Sequence, residues 1–190
     1  MKRTLSFFFL LLVCFSTLCS CGFRGPRQEV ESTTRIQIPG SLFTFANADQ
    51  DDSLKRLEPY CTDAWQEAGN LWLDVTEKQR QALIAIYQEN GDTIIAKLEA
   101  ENPLYSCTVS EDYQEVTYAY DENINGLTQA ELLLMFTVDC AMQRILETND
   151  SDWQVTIHIV NCHTKAVVAE GTVPEDTITF DDSDWMESYK

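Results

Sequence analysis

The spacing of apolar residues in this chain changes from a helical repeat to strict alternation, and this change constrains the fold more than any other feature. Thr76, with Gln79 three residues later, has the pattern of a capping box that opens a helix. Leu83 and Tyr87 then recur at helical spacing. Gly91 is expected to break or kink this helix, and Ile94, Ile95 and Leu98 continue the helical pattern until Asn102-Pro103.

Two later stretches have the two-residue period of β-strands. Tyr105, Cys107 and Val109 alternate with polar residues, and residues 116–120 alternate again after a polar turn, which predicts a hairpin. A second main helix is predicted over residues 127–146. Further strands are predicted over residues 153–160, 165–173 and 177–180. Hairpins separated by helices indicate an α+β domain, with an antiparallel sheet built from hairpins and helices packed on one face.

The first residues have the composition of an export signal. Lys2 and Arg3 precede an apolar stretch over residues 5–18. This stretch is too short to span a bilayer, which takes about 20 apolar residues. The following motif, Leu18-Cys19-Ser20-Cys21-Gly22, resembles the lipobox of bacterial lipoproteins. The resemblance implies cleavage before Cys21, a diacylglyceryl group on its thiol, and attachment to the extracytoplasmic face of the cell membrane.

These features divide the chain into four parts. We expect a signal peptide in residues 1–20, followed by the lipidated cysteine and a flexible tether in residues 21–33. Residues 34–180 have the length of one domain, and residues 181–190 form an acidic tail that we expect to fray unless Trp185 docks it on the domain.

Three short pieces of the predicted domain carry a second resemblance. They are the opening Ile38-Pro39-Gly40-Ser41-Leu42-Phe43, the polar hairpin, and the late turn at Thr164-Lys165. Together they look like small uncharacterised lipoproteins of Gram-positive, clostridial-type bacteria. This resemblance implies the location and the architecture, and it implies no activity.

The net charge excludes one class of partner. It is −18 for the whole chain, and loss of Lys2 and Arg3 with the signal peptide gives −20. Such a surface repels the phosphates of nucleic acid, so we expect no nucleic-acid partner. The expected partners are the membrane, through the lipid on Cys21, and an unidentified protein or glycan ligand.

Two tryptophans are candidates for glycan contact. Trp65 and Trp72 are seven residues apart, and they would share one helical face if the loosely helical pattern of residues 54–72 is continuous. Exposed tryptophans beside acids can stack on sugar rings. Aromatic residues at helical spacing more often belong to a core, and the sequence does not distinguish the two.

Four of the seven cysteines remain after cleavage and lipidation of the N-terminus. In an exported protein an even number permits two disulfides, with three connectivities, and the sequence leaves the pairing open. The alternative is that they are buried free thiols, which behave as small apolar side chains. The four residues are Cys61, Cys107, Cys140 and Cys162.

One segment matches the first half of a calcium loop. In Asp121-Glu122-Asn123-Ile124-Asn125-Gly126, the side chains of Asp121, Asn123 and Asn125 are the candidate ligands of a calcium ion. Position twelve of the loop is Leu132 instead of an acid. The alternative is a polar strand-to-helix loop in which Gly126 takes a positive φ.

No residue is assigned a catalytic role from the sequence. A Cys–His dyad would need Cys107 or Cys140 beside one of only two histidines, His158 and His163. The leading prediction is a non-enzymatic binding or accessory module on the cell surface. The alternatives are a cell-envelope hydrolase that uses two acidic residues, and a calcium-stabilised binding module.

Overall fold

The computed structural model describes residues 31–190. The predicted signal peptide, Cys21 and most of the predicted tether lie outside the described residues. Among residues 31–190, no helix is long and apolar enough to cross a membrane.

Three strands form the first sheet, in the order β1–β3–β2, with both neighbouring pairs antiparallel. The strands are β1 (Thr33–Ile38), β2 (Asp63–Glu67) and β3 (Asn70–Thr76). Side chains of alternate residues point to opposite faces, and one face of β3 is fully buried through Leu71, Leu73 and Val75. The other face carries the polar and aromatic residues described below.

Four strands form the second sheet, in the order β4–β5–β6–β7. The strands are β4 (Ser106–Val109), β5 (Glu115–Tyr120), β6 (Val155–Asn161) and β7 (Val167–Val173). The outer pairs are antiparallel, whereas β5 and β6 are parallel. The parallel pair arises because the chain between β5 and β6 is a long helical crossover instead of a tight turn.

Within residues 31–190, six α-helices pack with these sheets. They are α1 (Gly40–Phe45), α2 (Gln50–Leu57), α3 (Glu77–Glu101), α4 (Gly126–Ala130), α5 (Thr137–Thr148) and α6 (Asp182–Ser188). A 3₁₀ turn (Glu58–Tyr60) follows α2, and a π-helical segment (Glu131–Phe136) joins α4 to α5. The predicted α+β class, with antiparallel strand pairs and helices packed against them, is confirmed. Two features were not predicted: a second sheet and one parallel pair.

The long helix α3 begins after its N-cap Thr76 and ends before Asn102, as predicted. The Thr76 side chain accepts from the Gln79 backbone N–H, and the Gln79 side chain accepts from the Thr76 N–H. Gly91 does not break the helix, because α3 is one continuous helix from Glu77 to Glu101. A Cβ at Gly91 would lie 3.2 Å from the ring of Phe136, so glycine here permits the π-helical segment to approach α3 closely.

The region predicted as loosely helical, residues 54–72, ends in strands instead. Ala68 and Gly69 both have positive φ, 51° and 78°, and form the tight turn between β2 and β3. Beyond the turn, the apolar residues of β3 recur at every second position, which favours a strand. The segment therefore forms a strand although the spacing of Trp65 and Trp72 also fits a helix.

The C-terminal segment docks on the domain. The predicted strand over residues 177–180 is not formed, and α6 follows it with a capping box made by Asp181 and Asp184. Trp185 is 6% exposed and packs against the rings of Tyr120 and Phe180. The fraying predicted for this acidic tail is therefore wrong, and Trp185 docks it on the domain.

Candidate functional site

The parallel strands β5 and β6 bring three chemically reactive residues to one edge of the second sheet. Tyr120 and Asn161 are register partners at the ends of these strands. Asp121 directly follows β5, and Cys162 and His163 directly follow β6. The carboxyl ends of parallel strands are a recurrent location of ligand sites in proteins with such sheets.

Asp121 is the buried anion of this edge, with only 4% of its surface exposed. The Tyr105 hydroxyl donates to its Oδ1 at 2.6 Å, and the Asn123 backbone N–H donates to the same oxygen at 2.9 Å. His163 Nε2 donates to the other oxygen, Oδ2, at 3.0 Å. Burial raises the pKa of Asp121, but these hydrogen bonds outweigh it and hold the pKa below its usual value.

One potential ligating atom from each of Asp121, Cys162 and His163 lies within 4.8 Å of the other two. We call these three residues the Asp121 cluster. Cys162 is 4% exposed, and burial, followed by the nearby Asp121 charge, raises the pKa of its thiol. The Asn161 side chain shapes the turn, because its Oδ1 accepts from the His163 backbone N–H at 2.9 Å.

The C-terminal segment forms one wall of the Asp121 cluster. The ring of Tyr189 lies 6.1 Å from that of His163, and its hydroxyl donates to Glu122 at 2.6 Å. Asn161 Nδ2 donates to the Ser188 hydroxyl at 2.8 Å, and this hydrogen bond joins the end of α6 to the end of β6. The sequence contains no local motif for this cluster, because its members are brought together only by the parallel pairing.

The predicted calcium ligands have other partners in the structure. Asn125 is the N-cap of α4, where its Oδ1 accepts from the Leu127 backbone N–H at 2.9 Å. Asn123 contributes its backbone N–H to Asp121. The expectation of a positive φ at Gly126 is wrong, because Gly126 is the first residue of α4. Calcium binding itself stays a prediction.

Cys61, Cys107, Cys140 and Cys162 are all free thiols in the structure. Cys107 and Cys140 are buried, whereas Cys61 is half-buried and its thiol donates to the Leu57 carbonyl at 3.3 Å. Burial raises the pKa of Cys61 to about 11 and that of Cys140 to about 12. Cys162 is the cysteine that lies beside a histidine, and the Cys–His hypothesis had considered only Cys107 and Cys140.

The two candidate glycan-binding tryptophans lie side by side on the outer face of the first sheet. Trp65 on β2 and Trp72 on β3 are direct register partners, with ring centroids 6.3 Å apart and ring planes inclined by 11°. Both are half-buried. The predicted shared face therefore exists, but it is the face of a sheet and not that of a helix. We call this surface, with Arg35, Gln37 and Glu67 around the two tryptophans, the aromatic face.

Polar groups surround the indole rings of the aromatic face. Arg35 forms two hydrogen bonds with the Asp74 carboxylate, at 2.9 and 3.0 Å, and its guanidinium carbon lies 4.8 Å from the centre of the Trp65 ring. Hydrogen bonding to Arg35 holds the pKa of Asp74 below its usual value. Gln37 is the register partner of Trp72. The indole N–H of Trp72 is buried and has no partner among residues 31–190.

Comparisons with known proteins return no relative. No family model matches the chain, and no curated protein or solved structure matches it significantly.

Proposed function

We propose that this chain is a lipid-anchored extracytoplasmic binding protein, and that its aromatic face binds a polysaccharide of neutral or amino sugars. The observation that carries the proposal is the pair of nearly parallel tryptophans, Trp65 and Trp72, on an outward sheet face. Their location fits a protein that the lipobox would hold at the cell envelope, where polysaccharides are abundant.

The chemistry of the aromatic face suits a sugar ring. Tryptophan offers a large, rigid apolar surface, and the C–H face of a sugar packs against such a ring. Sugar hydroxyls also need hydrogen-bonding partners, which Gln37 and Glu67 supply beside the two rings. A flat sheet face holds these groups in fixed positions, so little side-chain freedom is lost when a ligand binds.

Charge selects among polysaccharides. The carboxylates of Asp63, Glu67 and Asp74 lie on or beside the aromatic face, where Arg35 is the cation that faces them. The whole chain carries a net charge of −18. An anionic polymer would be repelled, whereas neutral sugars and protonated amino sugars would not.

Lipid anchoring has a direct test in cells that express the full chain. Feeding an alkyne-labelled fatty acid should label the protein, and Cys21→Ala should lose the label and leave the uncleaved precursor. Cys19→Ala is the matched control and should be labelled normally. A protein that takes up no label, or that keeps the label in the Cys21 variant, would contradict the anchor.

Glycan binding has a separate test on the full chain purified in detergent. Insoluble cell-wall polysaccharide should deplete the protein from solution, and Trp65→Ala and Trp72→Ala should each weaken binding by more than about ten-fold. Tyr60→Ala, an exposed aromatic residue outside the aromatic face, is the control and should bind normally. Equal depletion of all four proteins would contradict a role of the aromatic face.

A further inference from the structure

The geometry points to a second site, independent of the proposed glycan binding: Asp121, Cys162 and His163 form a three-residue site for a divalent transition-metal ion of the zinc class. A thiol, an imidazole and a carboxylate are the three side chains that zinc takes as ligands in proteins. Calcium and magnesium prefer oxygen ligands alone, so this inference names a different ion from the one the sequence suggested.

The spacing of the ligand atoms comes within about 1 Å of that of a tetrahedral site. Zinc lies about 2.0–2.3 Å from nitrogen, oxygen and sulfur ligands, which sets neighbouring ligand atoms roughly 3.3–3.8 Å apart. In the structure the ligating atoms lie within 4.8 Å of one another, and Asp121 Oδ2 is 3.0 Å from His163 Nε2. Binding would replace this hydrogen bond with two metal bonds: the Nε2 proton is exchanged through water to Nδ1, and the Cys162 thiol releases its proton to water. Asp121 Oδ2 and His163 Nε2 would have to move apart by a few tenths of an ångström.

The surroundings orient Asp121 for such a role. Its Oδ1 accepts both the Tyr105 hydroxyl and the Asn123 backbone N–H, so Oδ2 is the oxygen that remains for the metal. Outer hydrogen bonds of this kind fix the direction of metal-binding side chains. The carboxylate and the thiolate together supply two negative charges, which balance the charge of a divalent ion.

The site has a buried side and an open side. Asp121 and Cys162 are each 4% exposed, whereas the side chain of His163 is 41% exposed. Three protein ligands leave the fourth position of a tetrahedral ion to water or an external ligand, as in zinc sites that are not purely structural. His163 and the neighbouring Tyr189 ring form the mouth of this site.

Cobalt(II) is the probe for this inference, because it replaces zinc and gives a thiolate-to-cobalt absorption band in the near ultraviolet. The full chain, stripped of metal with EDTA and kept reduced, should develop this band at one equivalent of cobalt. Addition of zinc should remove it. Cys162→Ser should abolish the band, and His163→Gln should weaken cobalt binding by more than about ten-fold.

Cys61→Ser is the matched control, because Cys61 is the half-buried thiol outside the cluster and should not be needed for the band. His163→Gln changes a half-exposed side chain, so it tests the site even if Cys162→Ser impairs folding, which circular dichroism would reveal. Absence of the band in the wild type, or its persistence in a folded Cys162→Ser protein, would leave the cluster as a hydrogen-bonded structural network only. The Cys162 and His163 variants should bind polysaccharide as the wild type does, which would show that the metal site and the proposed glycan site are independent.

Discussion

The indole N–H of Trp153 donates to the hydroxyl of Ser41 at 3.0 Å, and 112 positions of sequence separate the two residues. Ser41 lies in α1, directly after strand β1 of the first sheet, whereas Trp153 precedes β6 of the second sheet. The Trp153 ring also lies 5.5 Å from that of Phe45, in the same helix as Ser41. This contact therefore joins the two sheets through α1.

Ser41→Ala should destabilise the fold by about 1 kcal/mol, because Trp153 is 3% exposed and its N–H would lose its protein partner. The free energy of unfolding in urea measures this loss. Ser53→Ala is the control, since the Ser53 hydroxyl bonds only to an exposed carbonyl within its own helix. Equal stability of the Ser41 variant and the wild type would show that the Trp153 N–H finds water instead.

Asp139 makes stability depend on pH. It is 7% exposed in α5, and burial raises its pKa to about 7. In the unfolded chain its pKa is about 3.9, so folding favours the protonated form. This contribution to stability is complete below about pH 4 and is lost as the pH rises through 7, by at most about 1.4 kcal/mol per pH unit.

Asp139→Asn should therefore be more stable than the wild type at pH 8, by roughly 1–4 kcal/mol, and the difference should shrink towards pH 4. Urea unfolding at several pH values measures it. The comparison of variant with wild type cancels the opposite trend from Asp121 and Asp74, whose lowered pKa values remove stability as the pH falls. Asp92→Asn, which changes an exposed acid in α3, should alter little. A constant difference across the pH range would contradict the assignment to Asp139.

Asn125 distinguishes a helix cap from a calcium ligand. Asn125→Ala removes the side chain that caps α4 and should cost about 1 kcal/mol of unfolding free energy. A helix cap does not depend on calcium, so we expect the same loss of unfolding free energy in EDTA and in about 1 mM Ca²⁺. This concentration would stabilise a calcium site with a Kd of about 10 μM by roughly 2.7 kcal/mol. Asp92→Ala, which changes an exposed acid in α3 outside the loop, is the control and should lose little stability in either condition. A loss that grows in calcium would support the calcium loop.

The predictable parts of the fold were those that depend on local sequence. The capping box at Thr76 and the alternation in β5 and β6 specify helix and strand through neighbours a few residues apart. An interruption was predicted at Gly91, because the reason for that glycine is the ring of Phe136, 45 positions later in the printed sequence. Such a contact has no signal in the local pattern.

The candidate sites depended still more on pairing between distant strands. Trp65 and Trp72 share a face because β2 and β3 are joined by a tight turn, although their spacing of seven also fits a helix. Asp121 and His163 meet because β5 and β6 are parallel, and hairpin patterns alone predicted antiparallel neighbours. Register and strand order result from tertiary packing, which a single sequence leaves open.

The most direct test of the central claim measures the accessibility of the tryptophans to acrylamide. Of the four tryptophans, Trp153 and Trp185 are 3% and 6% exposed, so quenching of fluorescence should report mainly on Trp65 and Trp72. A soluble fragment of a neutral or amino-sugar polysaccharide should protect the wild-type fluorescence from acrylamide, and the Trp65→Ala/Trp72→Ala protein should show no protection. Binding of the fragment without protection, or equal protection in the double variant, would contradict the assignment of the aromatic face as the ligand site.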